Sequence, residues 1–148
     1  MEIQEVPYTK APIELLLEAD PSVEKIKAYL PGSRCFVAKL QGKPVGAYVV
    51  QRIAPAVYEL MSIAVSPEYQ RKGIGSKLLK HVIITVHDMG ARRLELGTGT
   101  FGYQLTWYQR EGFRVFTVER DFFLVNYEEP IYENGIQLKD MLRLAVDY

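Results

Sequence analysis

At Gly73 the hydrophobic rhythm of the chain changes, and that change restricts the fold more than any other feature. Upstream, apolar residues come in strand-length runs at Glu2–Val6, Cys35–Leu40, Val45–Arg52 and Tyr58–Val65. Gln41-Gly42-Lys43-Pro44 separates two of these runs, which predicts a hairpin with a four-residue loop. Ser66-Pro67 ends the last run, because proline cannot donate to a strand ladder. Strands that follow one another this closely form a meander, and a meander pairs antiparallel. From Gly73 the period becomes helical. Ile74, Leu78, Val82, Thr85 and Met89 share one stripe, widened by Leu79, Ile83 and Val86. Gly90 stands where a left-handed residue closes such a helix.

The remaining segments complete a mixed pattern. Two short helices are expected near Pro12–Ala19 and Pro21–Leu30, each with a proline at its start, where the missing amide costs nothing. After the long helix come a strand at Arg92–Leu96, a helix at Tyr103–Arg110 closed by Gly112, and strands at Phe113–Glu119 and Met141–Val146. Asp121–Leu138 is rich in aromatics and acids and shows no clear period. Strands, helix, strand, helix, strands describes a mixed α/β domain of the α+β type. The 148 residues, 48% hydrophobic and 24% charged, suit a single globular domain spanning 1–148.

Charge and cysteine content exclude several classes. Eighteen basic residues balance eighteen acidic ones, which argues against a nucleic-acid partner. Cys35 is the only cysteine, so neither a disulfide nor a zinc site on paired cysteines is available, and a small core residue is expected. Met1–Lys10 lacks a signal-peptide pattern and no apolar run reaches membrane length, so no membrane partner and a cytoplasmic location are expected.

The stretch Val65-Ser66-Pro67-Glu68-Tyr69-Gln70-Arg71-Lys72-Gly73-Ile74-Gly75-Ser76 carries the chemistry. A strand ends, a basic turn follows, and an amphipathic helix starts. Helix N-termini present amide donors and partial positive charge, and so receive anions. Gly73 and Gly75 lack the side chains that would hold a phosphate away from those amides, while Arg71 and Lys72 add charge. On glycine spacing alone, a tight structural turn on a basic surface explains the stretch equally well.

Ile63-Ala64-Val65-Ser66-Pro67 followed by Gln70-x-x-Gly73-x-Gly75 resembles the cofactor signature of the GNAT superfamily of N-acetyltransferases. Leu105-Thr106-Trp107-Tyr108-Gln109-Arg110-Glu111-Gly112-Phe113 resembles that superfamily's second hallmark, and Pro130–Gly135 is similar to the tail of bacterial members. The resemblance covers roughly 36–119. It implies a mostly antiparallel sheet of six to seven strands, splayed in the middle and flanked by about four helices. It also implies acetyl-coenzyme A as cosubstrate and no metal. The pyrophosphate would lie on the amides of Arg71, Lys72, Gly73, Ile74, Gly75 and Ser76. The pantetheine arm would run along Ile63, Ala64 and Val65, with an amide near Ile63 polarising the thioester carbonyl. An asparagine common near Phe101 in relatives is missing here, which puts the local contacts to that arm in question.

Acetyl transfer to an amine needs a base for the nucleophile and a proton for the departing sulfur. Tyr108 matches the superfamily's donor tyrosine; the alternative is a core tyrosine beside Trp107 and Phe113. Glu59, six residues before Val65, matches the glutamate base of one branch, against the alternative of a solvent-facing strand residue. Glu95 is a second base candidate, and bound water a third. His81 and His87 are six apart, which cannot make an i, i+4 metal pair, and surface positions are expected for both.

Gly97-Thr98-Gly99-Thr100-Phe101-Gly102 competes as a nucleotide fingerprint, which would make the chain a methyltransferase or a dinucleotide binder. Too little chain follows it for such a sheet, so these glycines are expected to form a flexible turn into the tyrosine helix. The expected function is transfer of an acetyl group from acetyl-coenzyme A to a primary amine, on a small-molecule or peptide acceptor, in a ternary complex. The competing class is a non-catalytic module that binds acetyl-coenzyme A. Zero net charge opposes an acceptor on transfer RNA. Superfamily analogy allows a monomer or a homodimer through late strands. Charge is unevenly spread: 15 basic and 11 acidic residues precede Val118, and 3 and 7 follow from it. The acidic end, with Glu128, Glu129 and Glu133, would suit a cationic amine or simply a solvated loop.

Overall fold

A computed structural model describes all residues, Met1–Tyr148. The chain divides into two compact units, Met1–Arg92 and Arg93–Tyr148. In the first, β1 (Glu2–Val6), β2 (Arg34–Leu40), β3 (Lys43–Ala54) and β4 (Val57–Val65) lie in that order, each antiparallel to its neighbour. Between β1 and β2 come two short helices, α1 (Ile13–Leu16) and α2 (Val23–Tyr29). Ser22 caps α2 by accepting from the Lys25 amide at 3.2 Å. Both helices are shorter than the proline-marked segments suggest: each proline lies outside the helix it introduces, and α1 stops at Leu16, three residues before Ala19.

The sheet of this unit buries both faces. Cys35 and Val37 of β2 and Ala47 and Val49 of β3 pack with Leu16 of α1, Ile26 of α2 and Leu30. The other face receives α3 (Ile74–Asp88), whose Ile74, Leu78, Leu79, Val82 and Val86 are buried. Gly46 permits that approach: a Cβ there would lie 2.7 Å from Leu78 Cδ1 and 3.2 Å from the Ala64 carbonyl oxygen. Gly90, at φ +94°, closes α3 as expected.

The β2–β3 turn corrects the four-residue loop. Gln41 and Gly42 both have positive φ, and pairing resumes with Leu40 opposite Lys43 and Lys39 opposite Pro44. A two-residue turn of this kind follows the twist of its strands. Pro44 therefore belongs to β3, next to an irregularity between Ala38 and Lys39.

In the second unit β5 (Arg93–Gly99), β9 (Met141–Asp147) and β6 (Arg114–Glu119) lie side by side in that order, again antiparallel. The helix α4 (Tyr103–Arg110) has the predicted bounds, and α5 (Phe122–Asn126) follows β6. Leu94, Leu96, Phe113 and Leu144 are the most deeply buried side chains here. The segment without a period contains α5 and a small hairpin, β7 (Tyr132–Glu133) with β8 (Ile136–Gln137), turning at Asn134-Gly135 with both φ positive. Seven sheet strands, antiparallel within each unit, and five helices give the expected mixed α/β class, with one helix more than predicted.

Gly97 and Gly99 are not in a turn, contrary to expectation. They are strand residues opposite Arg143 and Met141. A Cβ on Gly97 would collide with the Met141 thioether, and one on Gly99 would lie 3.0 Å from Leu138 Cδ2. The glycines make room for side chains from within the same unit. Only Gly102, at φ +106°, turns the chain into α4.

Candidate active site

From β4 to α3 the chain builds a run of unsatisfied donors. After Val65 comes a single 3-10 turn at Pro67–Tyr69, and Gln70 Nε2 donates back to the Val65 carbonyl at 3.1 Å, tying the turn to its strand. Arg71 at φ +64° and Gly73 at φ +80° are both left-handed, on either side of Lys72. The first backbone bond at the head of α3 runs from the Lys77 amide to the Gly73 carbonyl at 3.2 Å. The amides of Arg71, Gly73, Ile74, Gly75 and Ser76 therefore have no acceptor within the chain, while that of Lys72 closes the turn over Gln70 and Arg71. A helix leaves its first amides unsatisfied in any case. Here the two left-handed residues lengthen the run into the kind of backbone nest that holds anions. A Cβ on Gly73 would meet nothing within 4 Å, so it is the left-handed φ and not crowding that favours glycine there.

Upstream on β4, Ile63 lies opposite Tyr48, and Ala64 opposite Ala47. Pairing slips by one residue between Val49–Ser62 and Val50–Leu60, which makes Met61 a bulge. Glu59 is half-buried opposite Gln51. By register it faces the side of the sheet that carries α1 and α2, as Ser62 does opposite Val49. The hydroxyls of Ser62 and Tyr29 are both sealed inside without a hydrogen-bond partner. Burial pushes the Tyr29 phenol up to about 12, with the Ser62 hydroxyl opposing that shift.

Tyr108 lies in α4 and is 8% exposed. Its ring stacks on Trp107 at 4.9 Å and meets Phe113 edge-on at 6.0 Å. Burial raises the phenol above its ordinary range, so the group stays protonated at neutral pH. Its hydroxyl makes no hydrogen bond within the chain, yet it is not among the hydroxyls sealed from the surface.

Three further side chains are held by their surroundings. Glu95 accepts from Arg93 Nε at 2.9 Å and from Arg143 at 3.1 Å, so each carboxylate oxygen is engaged by an arginine. His81 corrects the expectation of a surface position. Its Nδ1 shares hydrogen bonds with the Tyr48 hydroxyl at 2.7 Å and Thr85 Oγ1 at 3.2 Å, and burial lowers its pKa. The signal was in the sequence: Leu78, His81 and Thr85 are spaced i, i+3, i+7 along the buried stripe. His87 is exposed. Cys35 is fully buried, and burial pushes its thiol up to about 11. No group of three or more His, Cys, Asp or Glu side chains is placed to hold a metal ion, and no helix is long and apolar enough to cross a membrane.

The family model for the acetyltransferase (GNAT) domain matches residues 31–115. The chain belongs to the GNAT acetyltransferase family. It is 41% identical over 135 residues to the protein named Uncharacterized N-acetyltransferase YvbK of Bacillus subtilis strain 168, covering 90% of this chain and 87% of that one. Among solved structures, the IAA acetyltransferase of Bacillus cereus ATCC 14579 superposes with a TM-score of 0.95 at 43% identity, covering 99% of each chain. A GNAT family acetyltransferase from Elizabethkingia anophelis, solved with acetyl-CoA bound, gives 0.93 at 39% identity, covering 99% of this chain and 98% of that one. The matched region, 31–115, contains both the turn at Arg71–Ser76 and the helix that carries Tyr108.

Proposed function

We propose that this GNAT protein transfers an acetyl group from acetyl-coenzyme A to a primary amine, by direct attack in a ternary complex. The observation that carries the reading is the set of acceptor-free amides between Arg71 and Ser76 at the head of α3, separated from Ile63–Val65 by the single 3-10 turn. That run fits a pyrophosphate in donor type and in charge. The relative solved with acetyl-CoA bound supports the choice of ligand. When bound, this cosubstrate supplies an acyl group already activated as a thioester.

The chain's own residues do the rest. The amides of Arg71–Ser76 hold the phosphates, while Arg71 and Lys72 add positive charge. The backbone of Ile63, Ala64 and Val65 aligns the pantetheine arm, and an amide near Ile63 donates to the thioester carbonyl. Glu59, acting through a water, takes the proton from the attacking amine, and Tyr108 delivers its phenolic proton to the departing sulfur. Glu95 is less suited to the base role because both its oxygens already serve the arginines that order β5 and β9.

The acceptor is a small molecule or peptide carrying a primary amine. Thiol release from acetyl-coenzyme A, measured across polyamines, amino sugars, peptide N-termini and lysine peptides, tests the reaction. Release that depends on one amine class, and is lost in Tyr108→Phe, supports it. Tight coenzyme binding without release for any amine would instead support a non-catalytic binding module.

A further inference from the structure

Lys43 and Tyr69, two residues outside the proposed phosphate-binding run, gather with Lys72 into a basic cluster around one aromatic ring. Lys43 opens β3, and the start of that strand lies beside the end of β4: Gly46 is opposite Val65, and the Ser66 amide donates to the Val45 carbonyl at 2.9 Å. The two-residue turn at Gln41-Gly42 therefore delivers a lysine to the basic turn from 29 positions earlier than Lys72. The Lys43 ammonium lies 5.5 Å from the centroid of the Tyr69 ring, and the Lys72 ammonium 5.3 Å from the same centroid. An aromatic face attracts each cation separately, but two ammoniums on one ring repel each other. The carboxylate at the cluster is Glu68, 3.6 Å from Lys43, with its side chain 74% exposed. So exposed a pair is weak and easily exchanged for a stronger anion.

We propose that Lys43, Tyr69 and Lys72 form a clamp for a phosphomonoester on the same ligand whose pyrophosphate lies on the Arg71–Ser76 amides. That ligand is coenzyme A and the group its 3′-phosphate; the inference rests on the coenzyme reading above. A phosphomonoester carries a charge of about −1.5 to −2 at neutral pH, which two lysines match. Lysine suits it as a point charge that needs no fixed fork geometry. The Tyr69 ring orders two otherwise flexible stems, and so reduces the entropy lost when the anion arrives. Backbone amides take one part of the ligand and side chains from two sequence-distant turns take the other, which gives the site a means to discriminate between coenzyme A and its dephosphorylated form.

Calorimetric titration of the full chain with coenzyme A and with 3′-dephospho-coenzyme A tests this. The unaltered protein is expected to bind coenzyme A about tenfold more tightly, with a preference that shrinks as salt is added. Lys43→Gln should remove roughly three- to fivefold of that preference, as expected for one exposed charge pair, and leave the dephospho ligand unaffected. Lys43→Arg should retain most of it. Equal affinity of the unaltered protein for both ligands, or equal weakening of both by Lys43→Gln, would overturn the clamp and leave coenzyme binding standing. Failure of either ligand to bind the unaltered protein would overturn the coenzyme reading and the clamp with it. The comparison of ligands on unaltered protein needs no variant to fold.

Discussion

Two glycines at opposite ends of α3 separate the cost of backbone strain from the loss of a ligand site. Gly73 precedes the helix at φ +80° and Gly90 follows it at φ +94°, and a Cβ on either would meet nothing within 4 Å. Alanine at either place thus adds a left-handed non-glycine residue without a collision. That costs about 1–2 kcal/mol and lowers the melting temperature by roughly 3–8 °C. The two variants should be nearly equal in stability by urea or thermal denaturation. Their coenzyme binding should differ sharply. At Gly73 the methyl is added beside the amides proposed to hold the phosphates, whereas Gly90 is at the far end of the helix. Each hydrogen bond to a charged group contributes about 1.5–3 kcal/mol, so holding a phosphate off two amides should weaken binding by about a hundredfold at the least. Gly73→Asp adds like-charge repulsion and should abolish binding. Calorimetry on Gly73→Ala and Gly90→Ala is the decisive pair. Unchanged binding in Gly73→Ala, or an equal loss in Gly90→Ala, would refute the argument from the amide run.

Three further outcomes are expected. Tyr108→Phe should reduce turnover at least tenfold at unchanged coenzyme affinity, and barely alter stability, because the Tyr108 hydroxyl makes no hydrogen bond within the chain; steady-state rates with parallel calorimetry check this. Glu59→Gln should depress kcat at unchanged coenzyme affinity, checked by the same pair of measurements. Glu95→Gln should lower the melting temperature, since it loosens contacts to Arg93 and Arg143, and leave kcat largely intact. For His81, burial favours the neutral ring in the folded chain, so the unfolded chain binds more protons below about pH 6.5. Stability should therefore be fully present above that pH and fall as pH drops through the lowered folded pKa. Urea denaturation between pH 7.5 and 5 should show a shallower decline for His81→Gln, and identical slopes would count against the buried role.

What could be read from the chain depended on whether its signal was local. The bounds of β1 and of the Tyr108 helix, the stripe of α3 and its closing glycine follow from periodicity and caps within a few residues of each other. Gly97 and Gly99 misled because their glycine requirement comes from Met141 and Leu138, some forty residues away and invisible to spacing. Glu95 looked free for proton transfer until cross-strand register brought Arg143 to it. Lys43 and Pro44 looked like loop, yet positive φ at Gln41 and Gly42 completes the turn in two residues. Asn134-Gly135 was a local hairpin signal hidden in a polar, aromatic stretch, and it does mark the β7–β8 turn.

The solitary, sealed thiol of Cys35 makes the folded protein almost silent to thiol-reactive dyes. With its pKa near 11, only about one molecule in a thousand would be thiolate at pH 8 even if the dye reached it. Coenzyme released by turnover would thus be counted against a background close to zero. Without substrate, slow labelling would register each excursion in which the core between α1, α2, β2 and β3 opens. The same residue then acts as a clock for the native state, whose ticking rate measures how often that core comes apart.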